Sequence, residues 1–413
     1  MVGSAGLRAK VVNPRLLGLA VILGFFDGAD LSSMGVTLSR MSKELGLTPG
    51  QAGLCISAGL VGVVVGATAG GRWADRKGRR QVLLTSSFLL GLFAVLTAFA
   101  WSFESLVVIR LIAGLGMGGL FPVVVAAARE AAAPTFRATA ISIVMASGPV
   151  GALGTALIGL APDYRWVFLF GGVGPLVAIP AILFVVRSGT SSAEPVEGAS
   201  STPMRTVFFG EGRAAGTALI WVIAFCTILV SYVLVNWLPS LLQLHGFTAQ
   251  QAGVAAILFA IGGIFGNLIA GRVMDRGAPR VGFVCSYLGV VGCILGLSVI
   301  TQAPVMFVLA FGANLFVLGA QLVAMTLTAM FYPAPGRTVG LGAMVSAGRI
   351  GSVVGPLMTG LLLSAGLAAK TVMLLLLPGL ALSLLVGLVL VAVMRRHPDT
   401  EIADSRAPAV SYF

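Results

Sequence analysis

Charged and reactive side chains are scarce in this sequence. Only 10% of the 413 residues are charged, against 58% that are apolar, and there are two His and four Cys. In a soluble domain about a quarter of the residues are charged, so the composition excludes a soluble enzyme. The four Cys lie inside apolar stretches, without the spacing of a metal site or a disulfide framework. We therefore expect no catalytic residue, no metal, no cofactor and no enzymatic activity.

Long apolar runs, by contrast, fill the chain. Each is long enough to cross about 30 Å of hydrocarbon as a helix of about 20 residues. The strands of a membrane barrel would be shorter and would alternate between apolar and polar residues. The sequence therefore predicts an all-α membrane protein with twelve transmembrane helices. Their predicted spans are 16–38, 51–73, 82–100, 105–128, 138–160, 166–186, 214–238, 252–272, 281–301, 305–330, 339–364 and 371–394.

The net charge of +12 is explained by where the charges lie. If the N-terminus is cytoplasmic, most of the 26 Lys and Arg residues fall in cytoplasmic segments, as the positive-inside rule requires. The charge therefore indicates topology, with both termini in the cytoplasm, and no nucleic-acid partner. The first apolar segment contains Asp27 and Asp30 and lacks a small-residue cleavage site, which favours a retained helix over a signal peptide.

One basic segment recurs in the second half of the chain. Residues 71–76, GRWADR, reappear 200 positions later as GRVMDR at 271–276. Several residues before and after this segment also recur unchanged 200 positions later. A constant offset of this kind predicts a duplicated half. The pairs are Thr48 and Thr248, Gln51 and Gln251, Gly62 and Gly262, Gly66 and Gly266, and Arg137 and Arg337.

The duplication predicts two pseudo-symmetric six-helix bundles. We place the N-terminal bundle at 1–186 and the C-terminal bundle at 214–394. The segment 187–213 is rich in Ser, Thr, Gly and Pro and is predicted to be a cytoplasmic linker. Residues 395–413 form a predicted cytoplasmic tail.

Two carboxylates interrupt the first apolar segment. Asp27 and Asp30 are three residues apart and therefore share one face of a helix. A charge near the bilayer centre costs about 2.5–3.5 kcal/mol or more, so both should face a cavity or a partner. Burial and mutual repulsion favour proton uptake, which predicts a proton-coupling pair. The alternative is a static counter-ion to a buried arginine.

Two arginines also lie within predicted helices. Arg110 is about five residues into the fourth helix, and Arg349 is near the middle of the eleventh. The predicted helices of the second half contain no acidic residue, so Arg349 favours an anionic substrate as its partner, with Asp27 or Asp30 as the alternative. Arg110 favours a substrate carboxylate or an aspartate, although its side chain could instead extend outward to the interface.

Polar side chains on two helices of the second half complete the predicted substrate site. Tyr232, Asn236 and Trp237 lie together on the seventh helix, where an interfacial aromatic belt would explain Trp237 equally well. Asn314 and Gln321 are seven residues apart on the tenth helix and share a face. Hydrogen bonding between helices is the competing explanation for these two.

Charged residues at the predicted cytoplasmic ends form a candidate gate. Surface ion pairs contribute only about 0–1 kcal/mol each, so a gate would need a network of them. The residues assigned to it are Gly71, Asp75, Arg76, Gly78, Arg79, Arg80, Glu130, Arg137, Asp275, Arg276 and Arg337.

These motifs resemble those of a known family. The segment 71–80, GRWADRKGRR, resembles the signature loop of the major facilitator superfamily of secondary transporters, although Trp73 stands where Leu or Met is usual. Arg110 with Gly114 and Gly116 is similar to the superfamily's fourth-helix pattern, and Glu130…Arg137 to the charged turn that follows it. The second copy of the signature departs from the pattern, because it continues as GAP at 277–279 without a basic tail.

Narrower motifs resemble one branch of that superfamily. The DGAD sequence at 27–30 is similar to the paired-aspartate motif of aromatic acid/proton symporters. The sequences NWLP at 236–239 and GRIG at 348–351 also resemble that family, and the whole chain is most similar to its bacterial 3-hydroxyphenylpropionate transporters.

The resemblance implies a function. A monomer in the bacterial inner membrane would import a small aromatic carboxylate with a proton, by alternating access around a central cavity. Hydroxybenzoate or muconate transport and drug/proton antiport remain alternatives, although two intramembrane arginines disfavour cationic cargo. A sugar transporter would need more polar lining, and a receptor or membrane enzyme would need an extramembrane domain or a nucleophile–base pair.

Overall fold

The computed structural model describes residues 11–186, 204–210, 213–275, 279–333 and 336–394. These residues form fourteen α-helices and one short 3₁₀ turn, Pro134–Phe136. The helices are α1 (Pro14–Leu45), α2 (Pro49–Lys77), α3 (Arg79–Thr97), α4 (Phe103–Glu130), α5 (Arg137–Ile158), α6 (Arg165–Val185), α7 (Met204–Phe209), α8 (Ala214–Leu244), α9 (Ala249–Asp275), α10 (Pro279–Val299), α11 (Ala303–Phe331), α12 (Arg337–Ser364), α13 (Ala369–Leu374) and α14 (Leu377–Met394).

The predicted all-α membrane fold is confirmed. Twelve segments of the described chain are long and apolar enough to cross a membrane. They are α1–α6, α8–α12, and the segment Ala369–Val391 that contains α13 and most of α14. The described helices fall into two compact units, which we call unit 1 (α1–α6) and unit 2 (α7–α14).

Residues related by the 200-residue offset make equivalent helix contacts in the two units. In unit 1 a Cβ on Gly62 would collide with the carbonyl of Leu111, and in unit 2 a Cβ on Gly262 would collide with that of Phe311. The pairs Gly66–Leu115 and Gly266–Leu315 repeat this relation, as do Gly151–Phe25 and Gly351–Phe225. Helix backbones touch at these points because glycine has no side chain to separate them. The duplicated sequence therefore produces the same interhelical contacts twice.

The starts of α2 and α9 are also the same. Thr48 and Gln51 form a reciprocal capping box in which the Thr48 N–H donates to Gln51 Oε1 at 2.9 Å and the Gln51 N–H to Thr48 Oγ1 at 3.3 Å. Thr248 and Gln251 make the same two bonds at 2.9 and 3.2 Å. Each box satisfies backbone donors that would otherwise have no partner at a helix N-terminus.

The segment 71–80, which resembles the signature loop, is almost entirely helical. Helix α2 continues to Lys77, α3 begins at Arg79, and Gly78 between them is the break. Gly78 has φ of 88°, a conformation that side chains with a Cβ rarely adopt. Both helices therefore extend beyond the predicted spans 51–73 and 82–100, into a segment whose long basic side chains can reach water.

The predicted boundaries at 186/187 and 213/214 remain predictions. Most of the predicted linker, and the tail at 395–413, lie outside the described residues. Within the linker, α7 packs on unit 2: Val207 is 2% exposed, and the ring of Phe208 lies 5.8 Å from that of Trp221. The predicted linker therefore contains a docked helical turn.

Candidate functional site

The first carboxylate of the site is paired inside unit 1. Asp30 on α1 and Arg110 on α4 form a two-point ion pair, with Arg110 Nη1 3.1 Å from Oδ1 and Nη2 3.4 Å from Oδ2. Asp30 is 1% exposed and Arg110 6%. The planar guanidinium matches the carboxylate geometry. Of the predicted partners for Arg110, the structure therefore places an aspartate beside it.

The second carboxylate has different surroundings. Asp27 is half-buried and lines a cavity of about 60 Å³ between α1, α4 and α5, which is large enough for water molecules. The other lining residues are Gly24, Leu120, Phe121, Val124, Val144, Met145 and Gly148. Helices α1 and α5 touch at this level, because a Cβ on Gly28 would collide with the backbone of Gly148.

Arg349 of unit 2 occupies the position of the repeat that corresponds to Pro149 of unit 1, next to Gly148. Arg349 on α12 is half-buried, and its Nη1 donates to the hydroxyl of Tyr232 on α8 at 3.4 Å. Close contact between Gly351 and the backbone of Phe225 brings the two helices together there. Among the described residues Arg349 forms no ion pair with a carboxylate. The guanidinium can therefore bind an anion.

Two neighbours of Tyr232 bind protein groups instead. Asn236 is 2% exposed and its Nδ2 donates to the Tyr232 carbonyl at 2.9 Å, one turn earlier in α8. Trp237 is 3% exposed, and its indole N–H donates to the carbonyl of Pro356 on α12 at 3.2 Å. The Trp237 bond joins α8 to α12, the two helices that present Tyr232 and Arg349, whereas the Asn236 bond stays within α8. A direct substrate role for either residue remains a prediction.

Asn314 and Gln321 lie two turns apart on α11. Asn314 is 6% exposed, and its Nδ2 donates to the carbonyl of Phe259 on α9 at 2.8 Å. This is a hydrogen bond between helices, which was the alternative explanation for this residue. Gly263 provides the space for this amide, because a Cβ there would lie 2.5 Å from Nδ2. Gln321 is half-buried. Their role in substrate binding remains a prediction.

The predicted gate is only partly visible. Arg79 Nη1 lies 2.7 Å from Glu130 Oε2, which joins the start of α3 to the end of α4, and Arg80 donates to the Leu183 carbonyl at 3.1 Å. Arg137 and Arg337 are the first residues of α5 and α12.

The remaining gate residues are placed by their helices or lie outside the described residues. Gly71 and Arg76 belong to α2, and Gly78 is the break after it. The side chains of Asp75 and Asp275, and the whole of Arg276, lie outside what the structure describes. The gating role itself stays a prediction.

Sequence reasoning missed an ionic cluster at the other end of unit 1. Arg40 of α1 donates to the carbonyls of Gly159 and Ala161 beyond the end of α5, and Arg165 of α6 pairs with Glu44 of α1. Burial, reinforced by Glu44, raises the pKa of Tyr164 to about 12. Only tertiary proximity links these residues. The cluster ties α1 to the α5–α6 turn and is structural.

A family model and curated proteins match most of the chain. The Major Facilitator Superfamily model matches residues 20–256 and 220–411. The chain is 36% identical to the 3-(3-hydroxy-phenyl)propionate transporter of Escherichia coli K12, over 92% of this chain and 94% of that protein. It is 29% identical to the 4-hydroxybenzoate transporter of Pseudomonas aeruginosa, over 88% of this chain and 89% of that protein.

A solved structure shows the same fold. The D-xylose-proton symporter superposes with a TM-score of 0.72 at 17% identity, covering 94% of this chain and 98% of that one. The relatives are named as transporters, and the twelve apolar helices agree with a multi-pass protein of the inner membrane. The chain therefore belongs to the Major Facilitator Superfamily and is a membrane transporter, not an enzyme.

Proposed function

We propose that the protein is a proton-coupled symporter that imports a small aromatic carboxylate, of the size of 3-(3-hydroxyphenyl)propionate. The observation that carries the proposal is Arg349, a half-buried cation in the middle of α12 that Tyr232 orients. A cation at this depth is costly unless an anion is near. The curated relatives named for aromatic acids support a carboxylate as that anion.

In the proposed mechanism the carboxylate of the substrate binds Arg349 and Tyr232, and its ring packs beside them. Trp237 joins the two helices that present this pair, and Asn236 bonds to the backbone of Tyr232 within α8. Arg110 contributes less, because its guanidinium already holds both oxygens of Asp30. In unit 1 a carboxylate of α1 takes up the coupled proton.

Coupling follows from the cost of charge in the membrane. An anion bound to a cation and a proton bound to a carboxylate each remove a net charge from the membrane interior. The loaded protein can therefore change its access from one side of the membrane to the other at lower cost than a protein carrying only one of the two. The proton gradient then drives accumulation of the acid without a further cofactor.

The first test is uptake of labelled 3-(3-hydroxyphenyl)propionate into proteoliposomes. We expect accumulation that requires an inward proton gradient. Unlabelled 4-hydroxybenzoate, benzoate and muconate, added as competitors, rank the substrates, and a cationic dye tests drug antiport. If no aromatic acid enters under any gradient, the proposed substrate class is wrong.

A second test concerns the guanidinium of Arg349. Arg349→Lys keeps the charge but loses the planar pair of donors, and we expect the apparent KM to rise about 10- to 100-fold, which corresponds to loss of a charge-assisted hydrogen bond. Arg272→Lys is the matched control, since Arg272 is exposed and donates to Leu268 of its own helix. An unchanged KM in Arg349→Lys would rule out a two-point carboxylate clamp.

A further inference from the structure

Helix α12 has a packed side and an open side. On the packed side a Cβ on Gly348 would collide with the side chain of Ile228 on α8. A Cβ on Gly351 would likewise collide with the carbonyl of Phe225, and Ser352 is 1% exposed. The open side consists of residues that are exposed or half-buried, namely Gly342, Val345, Ser346, Arg349 and Ile350.

Arg349 indicates what the open side faces. An exposed side of a membrane-spanning helix faces either lipid or a route that water and substrate can enter. Arg349 lies near the middle of the apolar span Val339–Ser364, where a guanidinium in contact with hydrocarbon is costly. Charged side chains at this depth therefore face a water-filled cavity. The residues that share the open side with Arg349 face the same route.

Ser346 is the residue of the open side one helical turn before Arg349. Residues three apart on a helix are neighbours, with about 5–6 Å between their Cβ atoms. Helical side chains lean toward the N-terminus of their helix, so Arg349 extends over the turn that carries Ser346. A small molecule whose carboxylate binds Arg349 and Tyr232 therefore has its other end within reach of Ser346.

The hydrogen bond that Ser346 already makes determines what it can offer a ligand. Its Oγ donates to the carbonyl of Gly342 at 2.9 Å, the bond to the preceding turn that serine forms in helices. The proton is therefore engaged, and the oxygen presents its lone pairs as acceptors. A carboxylate is also an acceptor and does not match these lone pairs. A hydroxyl group on an aromatic ring is a donor and does match them.

Apolar side chains border the space beside these two polar residues. Val345 and Ile350 flank Arg349 on the open side and are 44% and 61% exposed. Burying them against an aromatic ring removes apolar surface of both from water. The open side therefore combines a cation for a carboxylate, apolar surface for a ring and an acceptor for a hydroxyl.

We propose that Ser346 is a specificity-determining residue that accepts a hydrogen bond from a ring hydroxyl of the substrate. The carboxylate of the same molecule binds Arg349, so the substrate class narrows to ring-hydroxylated aromatic acids. The inference rests on the proposed function, because it requires a carboxylate at Arg349.

The test is binding of two labelled acids to the purified protein, measured by scintillation proximity. The probes are 3-(3-hydroxyphenyl)propionate and 3-phenylpropionate, which differ only in the ring hydroxyl. We expect the wild type to bind the hydroxylated acid more tightly. In Ser346→Ala the Kd of the hydroxylated acid should rise about 3- to 10-fold, as for loss of one neutral hydrogen bond, and the Kd of 3-phenylpropionate should not change.

Two control variants separate recognition from helix stability. Ser346→Thr keeps the hydroxyl and should keep the wild-type ratio of the two Kd values. Ser352→Ala is the matched control, because the Ser352 hydroxyl makes a similar bond, to the Arg349 carbonyl at 2.7 Å, but lies on the packed side. This variant should also keep the ratio. A loss of the ratio in Ser352→Ala as large as in Ser346→Ala would overturn the inference.

The outcomes distinguish this inference from the proposed function. If the wild type binds both acids equally, or if Ser346→Ala raises both Kd values by the same factor, the inference is overturned and the proposed function stands. If the wild type binds neither acid, the proposed substrate class is wrong and the inference is overturned with it. Binding requires no proton gradient, so the expected Kd ratios without gradient-driven uptake would support the inference and contradict only the proposed coupling.

Discussion

The two units place different charged residues on one repeated backbone frame. At the same positions of the repeat, unit 1 has Asp27, Asp30 and Arg110, and unit 2 has Thr227, Val230 and Ala310. Conversely, the position of Arg349 in unit 2 is occupied by the uncharged Pro149 in unit 1. The repeated glycine contacts show that these positions are equivalent in the packing and not only in the sequence.

This difference shows that the residues that determine helix packing are separate from the charged residues proposed to act in transport. Glycines at helix crossings and capping boxes at helix starts are the same in both units, because they determine how closely the helices approach and where they begin. The charged residues differ, and in the proposed mechanism they do so because a proton site and an anion site need opposite chemistry. In the described helices of unit 2, the acidic residue is Asp275, at the end of α9.

The largest expected effect comes from breaking the buried Asp30–Arg110 ion pair of unit 1, whose positions in the repeat carry Val230 and Ala310 in unit 2. Arg110→Ala leaves Asp30 buried without its partner and should lower the free energy of unfolding by about 3–5 kcal/mol. Asp30→Val/Arg110→Ala introduces the residues of unit 2, Val230 and Ala310, which are 1% and 0% exposed there. We expect the double variant to recover most of the loss. Unfolding in detergent measures both, and a double variant no more stable than Arg110→Ala would contradict the equivalence of the two frames.

An intermediate effect should appear equally in both units. Gly62→Ala and Gly262→Ala each force a Cβ against a backbone carbonyl of the neighbouring helix, and each should cost about 1–3 kcal/mol. Gly71→Ala and Gly271→Ala are matched controls at the same offset, since no heavy atom lies within 4 Å of either added Cβ. The measurement is again unfolding in detergent. A large loss of unfolding free energy in Gly62→Ala with none in Gly262→Ala would show that the repeat does not determine the contact.

The smallest expected effect concerns the capping boxes. Thr48→Ala and Thr248→Ala each remove a side-chain acceptor at a helix start and should each cost about 1 kcal/mol. Thr48→Ser and Thr248→Ser keep the acceptor and should be close to the wild type. Thermal shifts of the purified protein test this, and unequal shifts for the two Ala variants would argue against equivalent boxes.

The amino-acid sequence by itself determined the architecture. Long apolar runs, the repeat at an offset of 200 and the positions of Gly62 and Gly262 were sufficient to predict twelve helices in two similar bundles, because helix formation in lipid is a local requirement. The sequence also identified Asp27, Asp30, Arg110 and Arg349 as exceptional, since a charged residue within an apolar run is conspicuous without knowledge of its neighbours.

Only the tertiary structure decided which of these residues meet. The sequence pattern did not decide whether Arg110 pairs with a substrate carboxylate or with an aspartate. Packing of α1 against α4 placed Asp30 beside it. It treated Asp27 and Asp30 as one pair, whereas a cavity lies at Asp27 and a cation at Asp30. Helical periodicity gives the direction of a side chain but not the helix it faces, since that depends on how closely glycines allow distant segments to approach.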